Sequence, residues 1–285
     1  MKLGNYEIDV IETGRFGLDG GAMFGVVPKA IWAKSYEPGD DMNRIPLTAR
    51  IMLIRSDDRN ILVDTGNGTK GNEKFQKIYK INSEETRLDN ALKPFGLEYG
   101  DITDVILTHL HFDHAGGATR MENGNIIPTF PNAKYYVQKD HLEWAKNPTE
   151  KDRASFVEDD FMPLEADGML ELLDGAGEIF PGIELIPVHG HTKAMQMLKI
   201  KGGEETLLYI ADLSPTSAHI RLPFGLAYDN EPLITLEEKK KYLPQAYEEK
   251  WTVVFEHDAF TQASKIELTG KGFSAGEKII ITENK

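Results

Sequence analysis

The sequence predicts one layered α/β domain, and three observations predict it. Strand-like apolar runs alternate with helix-like segments in both halves of the 285-residue chain, as layered α/β folds require. No repeat of fixed period and no linker of shifted composition interrupts that alternation. Several of the apolar runs end directly in histidine or aspartate, and open α/β sheets gather their active sites at such strand ends.

The elements follow in chain order. Tyr6–Glu12 reads as a first strand. The stretch "DGGAMFGVVPKAIWAKSY" that follows belongs to a long insert, residues 19–49, rich in glycine, proline and large apolar groups. Segments of this length without regular structure are usually functional or disordered, and so much apolar content argues against disorder. Arg50–Arg55 and Asn60–Asp64 read as strands joined by the turn "SDDR". Glu73–Ile81 and Glu84–Phe95 read as helices, and Val105–Thr108 as a short buried strand. Lys134–Val137 continues as a strand, with a helix over Gln138–Lys146 and partial helix over Ser155–Phe161. Ile183–Val188, Met195–Ile200 and Leu207–Ala211 read as strands. Leu236–Glu249 reads as a helix despite Pro244, which removes one backbone donor. Thr252–Phe255 is a strong strand, and the tail from Lys265 reads as one or two more.

Bulk composition bounds the function. There are no cysteines, so there are no disulfides, and a transition-metal site must use imidazole and carboxylate. The net charge of −14 argues against nucleic acid as a partner, because phosphate binding needs a basic surface. No run approaches the roughly 18 apolar residues of a membrane span. The opening "MKLGNYEIDV" lacks the apolar core of a signal peptide. A soluble, cytoplasmic protein without membrane contact is the expectation.

The chemistry is concentrated in "VILTHLHFDHAGG", Val105–Gly117, where His109, His111, Asp113 and His114 fall within six positions. Side chains two apart in an extended segment project the same way, so His109 and His111 can reach one ion. Asp113 and His114 follow in the turn and can face a second. Downstream, His191 closes "ELIPVHGH" with His189 two residues before it, Asp212 closes "LLYIAD", and His257 closes "WTVVFEH". Imidazole mixed with carboxylate suits zinc, manganese, iron or cobalt. His141 and His189 read as hydrogen-bonded structural histidines, and His219 stands evenly between that and a site role.

The ordered set "HLHFDH", "GHT", "AD" and "EHD", preceded by "LVDTG" at Leu62–Gly66, resembles the metallo-β-lactamase superfamily from Ile51 to about Asp258. The resemblance implies a four-layer αββα sandwich holding two divalent ions, with Zn2+ ahead of Mn2+, Fe2+ or Co2+. It implies that His109, His111 and His191 hold one ion, that Asp113, His114 and His257 hold the other, and that Asp212 bridges them. Asp64 would orient the ligand loop. The chemistry implied is hydrolysis by a metal-bridging hydroxide.

Within the superfamily the cysteine-free ligand set departs from the zinc β-lactamases that use a cysteine, and the acidic surface departs from the RNA-processing nucleases. A flavodiiron protein would need a further domain for its flavin. Residues 19–36 are similar to a segment of the YtnP-like quorum-quenching N-acyl-homoserine lactonases. That likeness implies a lactone or ester substrate and a homodimer, with Phe24, Val26 and Trp32 standing evenly between a pocket wall for an acyl chain and a place in the core or a dimer interface. Asp113 would pass a proton to the leaving alkoxide. The alternatives are a phosphotriesterase or arylesterase of the methyl parathion hydrolase kind and a glyoxalase II-like thioesterase. One departure is recorded. Lactonases of this kind place a tyrosine three residues after the bridging aspartate, and Pro215 stands there, so either His219 or Tyr228 supports the lactone carbonyl or the substrate differs. "HTKAM" likewise replaces the common "HTPG".

Overall fold

A computed structural model of the chain describes residues 1–283. Contacts cluster into two compact units, each assembled from separated stretches of chain. The first comprises residues 1–16, 49–175 and the segment from Thr282; the second comprises residues 17–48 and 176–281.

The first unit carries most of one seven-stranded sheet. Its centre is parallel: Asn60–Val63, Asp104–Ile106 and Lys134–Gln138 run side by side, with Val63 opposite Ile106 and Ile106 opposite Tyr136. Asp104–Ile106 is wholly buried, which explains why it reads as a short continuous run rather than as an alternating strand. Leu88 and Leu92, Leu142 and Ala145, and Leu164 come from helices and join Leu53, Leu62, Val105 and Tyr135 in one apolar core.

The second unit carries the other seven-stranded sheet, running in order from Gly177–Phe180 through Ile183–Val188, Met195–Gly202, Glu205–Tyr209, Thr252–Val254 and Ala263–Thr269 to Gly272–Ile279. Glu205–Tyr209 and Thr252–Val254 are parallel neighbours. The intervening chain includes the 17-residue helix Pro232–Glu248, which accommodates Pro244 inside it.

Several expected elements shift. The first strand runs on to Asp19, because Gly14 at φ +122 lets the chain continue where a side chain would strike Thr86 at 2.7 Å. The insert forms two short helices, Gly20–Phe24 and Lys29–Trp32, and its end joins the strand Arg44–Arg55. The helix expected over Glu84–Phe95 contracts to Leu88–Leu92. Asn82 turns its side chain onto the Glu84 amide at 3.1 Å, and the Thr86 hydroxyl donates to the Gly68 carbonyl at 2.6 Å. Both bonds hold that stretch out of helical geometry.

Candidate functional site

In the first unit the parallel centre of the sheet delivers the ligand loop. Asp64 ends the strand Asn60–Val63 in the left-handed region, at φ +59. From there its Oδ1 accepts the Thr108 amide at 2.7 Å and its Oδ2 accepts the Thr108 hydroxyl at 2.7 Å. The same Oδ2 lies 3.1 Å from His114 Nδ1.

These contacts assign tautomers. A carboxylate only accepts, so His114 carries its proton on Nδ1, and Nε2 is its lone-pair nitrogen. The Thr108 hydroxyl spends its one proton on Asp64. It therefore accepts from His109 Nδ1, 3.1 Å away, so Nε2 is the lone-pair nitrogen of His109 as well. His109 Nε2 stands 3.1 Å from His111 Nδ1, and His114 Nε2 stands 3.9 Å from Asp113 Oδ1.

Backbone contacts lock the loop in place. The His141 ring accepts the Leu110 amide at 2.8 Å, the structural role expected of it. Thr65 holds the His114 carbonyl through its amide at 2.7 Å and its hydroxyl at 2.9 Å. Gly68 passes so close to Gly116 that a Cβ would come within 2.1 Å of its carbonyl oxygen. Lys70 lies behind the loop. Its ammonium meets the carbonyls of Gly116 and Thr119 and pairs with the buried Asp160 at 2.9 Å. Burial pushes the Asp160 carboxyl above its ordinary range, against the pull of Lys70.

Beside the ligand helix Phe112–Ala115, the Phe112 ring meets Phe75 at 4.9 Å and Tyr79 at 4.6 Å. Burial, with the charge of Asp113 adding to it, raises the Tyr79 phenol. A cavity of about 200 Å³ opens next to Phe75 and Phe112.

The second unit repeats the logic. His191 follows the turn after Ile183–Val188, and its Nδ1 faces Asp229 Oδ1 at 3.0 Å. His257 lies just beyond Thr252–Val254, and its Nδ1 donates to the Thr48 carbonyl at 3.0 Å. Both rings thereby present Nε2. Between them sits Asp212, with Oδ2 at 3.3 Å from His191 Nε2 and Oδ1 at 3.2 Å from His257 Nε2. One carboxylate thus offers a separate oxygen to each of two imidazoles.

Ligand atoms about 2.0–2.1 Å from one tetrahedral zinc stand roughly 3.3 Å apart. The separations of 3.1, 3.3 and 3.2 Å match ligand–ligand edges. The donor atoms are nitrogen and oxygen, and they converge in buried groups of three that lie within 4.8 Å of one another. The residues present therefore fit divalent ions.

Other expected site residues lie elsewhere. Phe24 and Trp32 are fully buried and stack on each other at 4.8 Å, so they present no surface to a ligand. Val26 is 95% exposed. The three form no common wall, because the insert folds its aromatic rings into the core of the second unit. His219 is also a core residue. Its Nε2 donates to the Met23 carbonyl at 2.7 Å, its Nδ1 meets the Thr216 hydroxyl at 2.7 Å, and its ring stacks on Phe24 at 4.6 Å. Burial drops its pKa to about 4. Neither nitrogen is left for a substrate. Tyr228 is half-buried beside Asp229. His189 is exposed at the turn before His191. Asp229, Thr108 and the Thr48 carbonyl were absent from the sequence reading; Asp229 lies in "AYDNEP", which signals only a turn.

Comparison with known proteins gives a consistent picture. Residues 44–257 match the family profile described as the Metallo-beta-lactamase superfamily. An N-acyl homoserine lactonase from a Bacillus species is 31% identical over 219 residues, covering 72% of this chain and 79% of that protein. The crystal structure of a probable metal-dependent hydrolase from Staphylococcus aureus superposes with a TM-score of 0.89 at 28% identity, over 98% of both chains. An N-acyl homoserine lactone hydrolase with N-hexanoyl-L-homoserine bound at its catalytic metal center gives a TM-score of 0.68 at 26% identity, over 91% of this chain and 95% of that one.

Proposed function

The chain belongs to the metallo-beta-lactamase superfamily, and from that premise we propose that it is a dinuclear lactonase that opens N-acyl homoserine lactones. It is a metal-dependent hydrolase; the substrate and the number of ions are the proposal. The observation that carries the dinuclear reading is Asp212, whose two oxygens face the Nε2 atoms of His191 and His257 separately.

In this reading His109, His111 and His191 would hold one ion, Asp113, His114 and His257 would hold the other, and Asp212 would serve both. Zinc is the proposed metal. When bound, the ions would supply an activated water and polarise the substrate carbonyl. The chain's own residues do the rest. Asp64, Asp229, Thr108 and the Thr48 carbonyl keep the protons of His114, His191, His109 and His257 on Nδ1. Asp113 would take up the proton released by the attacking water and pass it to the alkoxide that leaves when the ring C–O bond breaks. Tyr228, next to Asp229, supports the lactone carbonyl from the half-buried 225–231 segment. Phe75, Tyr79 and Phe112 offer the apolar face for an acyl chain, in place of Phe24, Val26 and Trp32. Exposed Val26, Ile31 and Met42 fit the proposed homodimer contact, since exposed apolar groups mark interfaces.

The test is ring opening of N-hexanoyl- and N-decanoyl-homoserine lactone, followed by acid release, with paraoxon and a glutathione thioester assayed beside them. Chelator-sensitive opening of the lactones at least 100-fold faster than the other two is the expected result. Faster turnover of paraoxon or the thioester would refute the lactonase and leave the hydrolase.

A further inference from the structure

The turn "HGH" at His189–His191 is fastened to the helix Pro232–Glu248 from several directions. The Glu238 carboxylate accepts the His189 amide at 2.6 Å and the Gly190 amide at 3.1 Å. Gly190 approaches the helix so closely that a Cβ would lie 2.2 Å from the Thr235 nitrogen. The Asn230 and Glu231 amides donate to the carbonyls of His191 and Gly190 at 3.0 and 2.8 Å. The buried Lys239 ammonium donates to the carbonyls of Arg221 and Phe224 at 2.8 and 3.0 Å, pinning the start of the segment that ends at Asp229. Asp229 is 2% exposed. One of its oxygens accepts the Leu226 amide at 3.2 Å and the other faces His191 Nδ1 at 3.0 Å.

This backing differs from that of two other imidazoles. A neutral carbonyl holds His257 and a neutral hydroxyl holds His109. A carboxylate behind a ligand imidazole fixes its tautomer and raises its basicity, and losing such a partner typically costs 10–100-fold in metal affinity.

We propose that Asp229 is a positioning residue for His191, and that Lys239 holds Asp229 in place, so that the helix Pro232–Glu248 sets the affinity of one ion and not the other. The inference rests on the dinuclear assignment of His191 given above. Asp229 touches neither substrate nor ion. It acts on the ring that does the binding.

The experiment is a competitive titration of metal-free protein with Zn2+ against a chromophoric chelator, repeated with Co2+ while its visible d–d bands are recorded. Wild type, Asp229→Asn, Asp229→Glu and Lys239→Met are compared, each with a urea midpoint for the metal-free form. In Asp229→Asn one ion binds 10–100-fold more weakly, the other stays within about twofold, and the Co2+ spectrum changes for one equivalent only. Asp229→Glu recovers part of the loss, and Lys239→Met shows a smaller loss at the same ion. Wild-type affinities and spectrum in Asp229→Asn would overturn the inference while leaving the dinuclear reading intact. Equal weakening of both ions with a collapsed urea midpoint would overturn it too, since that is a purely structural role. Wild type that takes up only one ion would overturn the dinuclear reading and this inference together.

Discussion

Replacing Lys70 by methionine removes the cation behind the ligand loop without touching a ligand. Lys70 meets three acceptors: the Gly116 carbonyl, the Thr119 carbonyl at 2.8 Å and Asp160 Oδ1 at 2.9 Å. Both members of the ion pair are buried, with side-chain exposures of 8% and 5%. Removing one partner of a buried pair strands the other, at a cost of about 3–5 kcal/mol. Unmet carbonyls push toward the upper end of that range. Lys70→Met should therefore lose about 4 kcal/mol in urea unfolding of the metal-free protein at pH 7. The double variant Lys70→Met/Asp160→Leu removes the stranded charge and should recover most of that loss, because well-packed apolar pairs often replace buried ion pairs at little cost. The sign with pH follows from Asp160. Its carboxyl is already raised by burial, and losing Lys70 raises it further. The folded state then holds a proton that the unfolded state has released, so the defect of the single variant shrinks as pH falls toward the ordinary carboxylate range. A single variant as stable as wild type, or a double variant no better than the single, would refute this account of the strap.

Three further outcomes follow. Asp64→Asn places a donor against the Thr108 amide, the Thr108 hydroxyl or His114 Nδ1; it should cost about 2–4 kcal/mol and weaken metal binding, read by urea unfolding and chelator competition. His219→Phe should keep lactone turnover within about threefold while lowering the urea midpoint, because both ring nitrogens bond to the protein and about 1–3 kcal/mol attends their loss; loss of turnover at a normal midpoint would restore a catalytic role to His219. Burial drops the Lys239 pKa to about 7, so between pH 7 and about 10.4 the unfolded chain binds a proton that the folded chain does not. Wild-type stability should thus rise across that window relative to Lys239→Met, as measured by urea midpoints at intervals of one pH unit.

The parts of the site that were legible in the sequence share a cause. His109, His111, Asp113 and His114 are adjacent in the chain, and a ligand loop after a buried strand leaves a compact signature. His191, Asp212 and His257 each end an apolar run, so their positions follow from strand periodicity. Asp229 and Thr48 left no such mark, because each meets its histidine through one hydrogen bond made possible by tertiary proximity; Thr108, though next to His109, reads only as the end of a strand. Thr48 contributes only a carbonyl, which any residue type supplies. The aromatic insert was ambiguous for a related reason. Phe24 and Trp32 carry the same composition whether they line a pocket or fill a core, and their stacking against each other and against His219 decides for the core. Phe75 and Tyr79 sit four apart on the helix Glu73–Tyr79, a spacing that was visible; their meeting with Phe112 was not.

The central claim is a dinuclear lactonase, and the most direct measurement is a stepwise one. Metal-free protein is loaded with Zn2+ in increments of half an equivalent, and ring opening of N-hexanoyl-homoserine lactone is followed at each step alongside metal content. The account predicts two ions per chain, with the rate rising steeply as the second equivalent is taken up. Asp212→Ala, lacking the carboxylate that serves both ions, should bind fewer than two ions and stay inactive. Full lactone turnover at one equivalent, or a fully active Asp212→Ala with normal metal content, would contradict it.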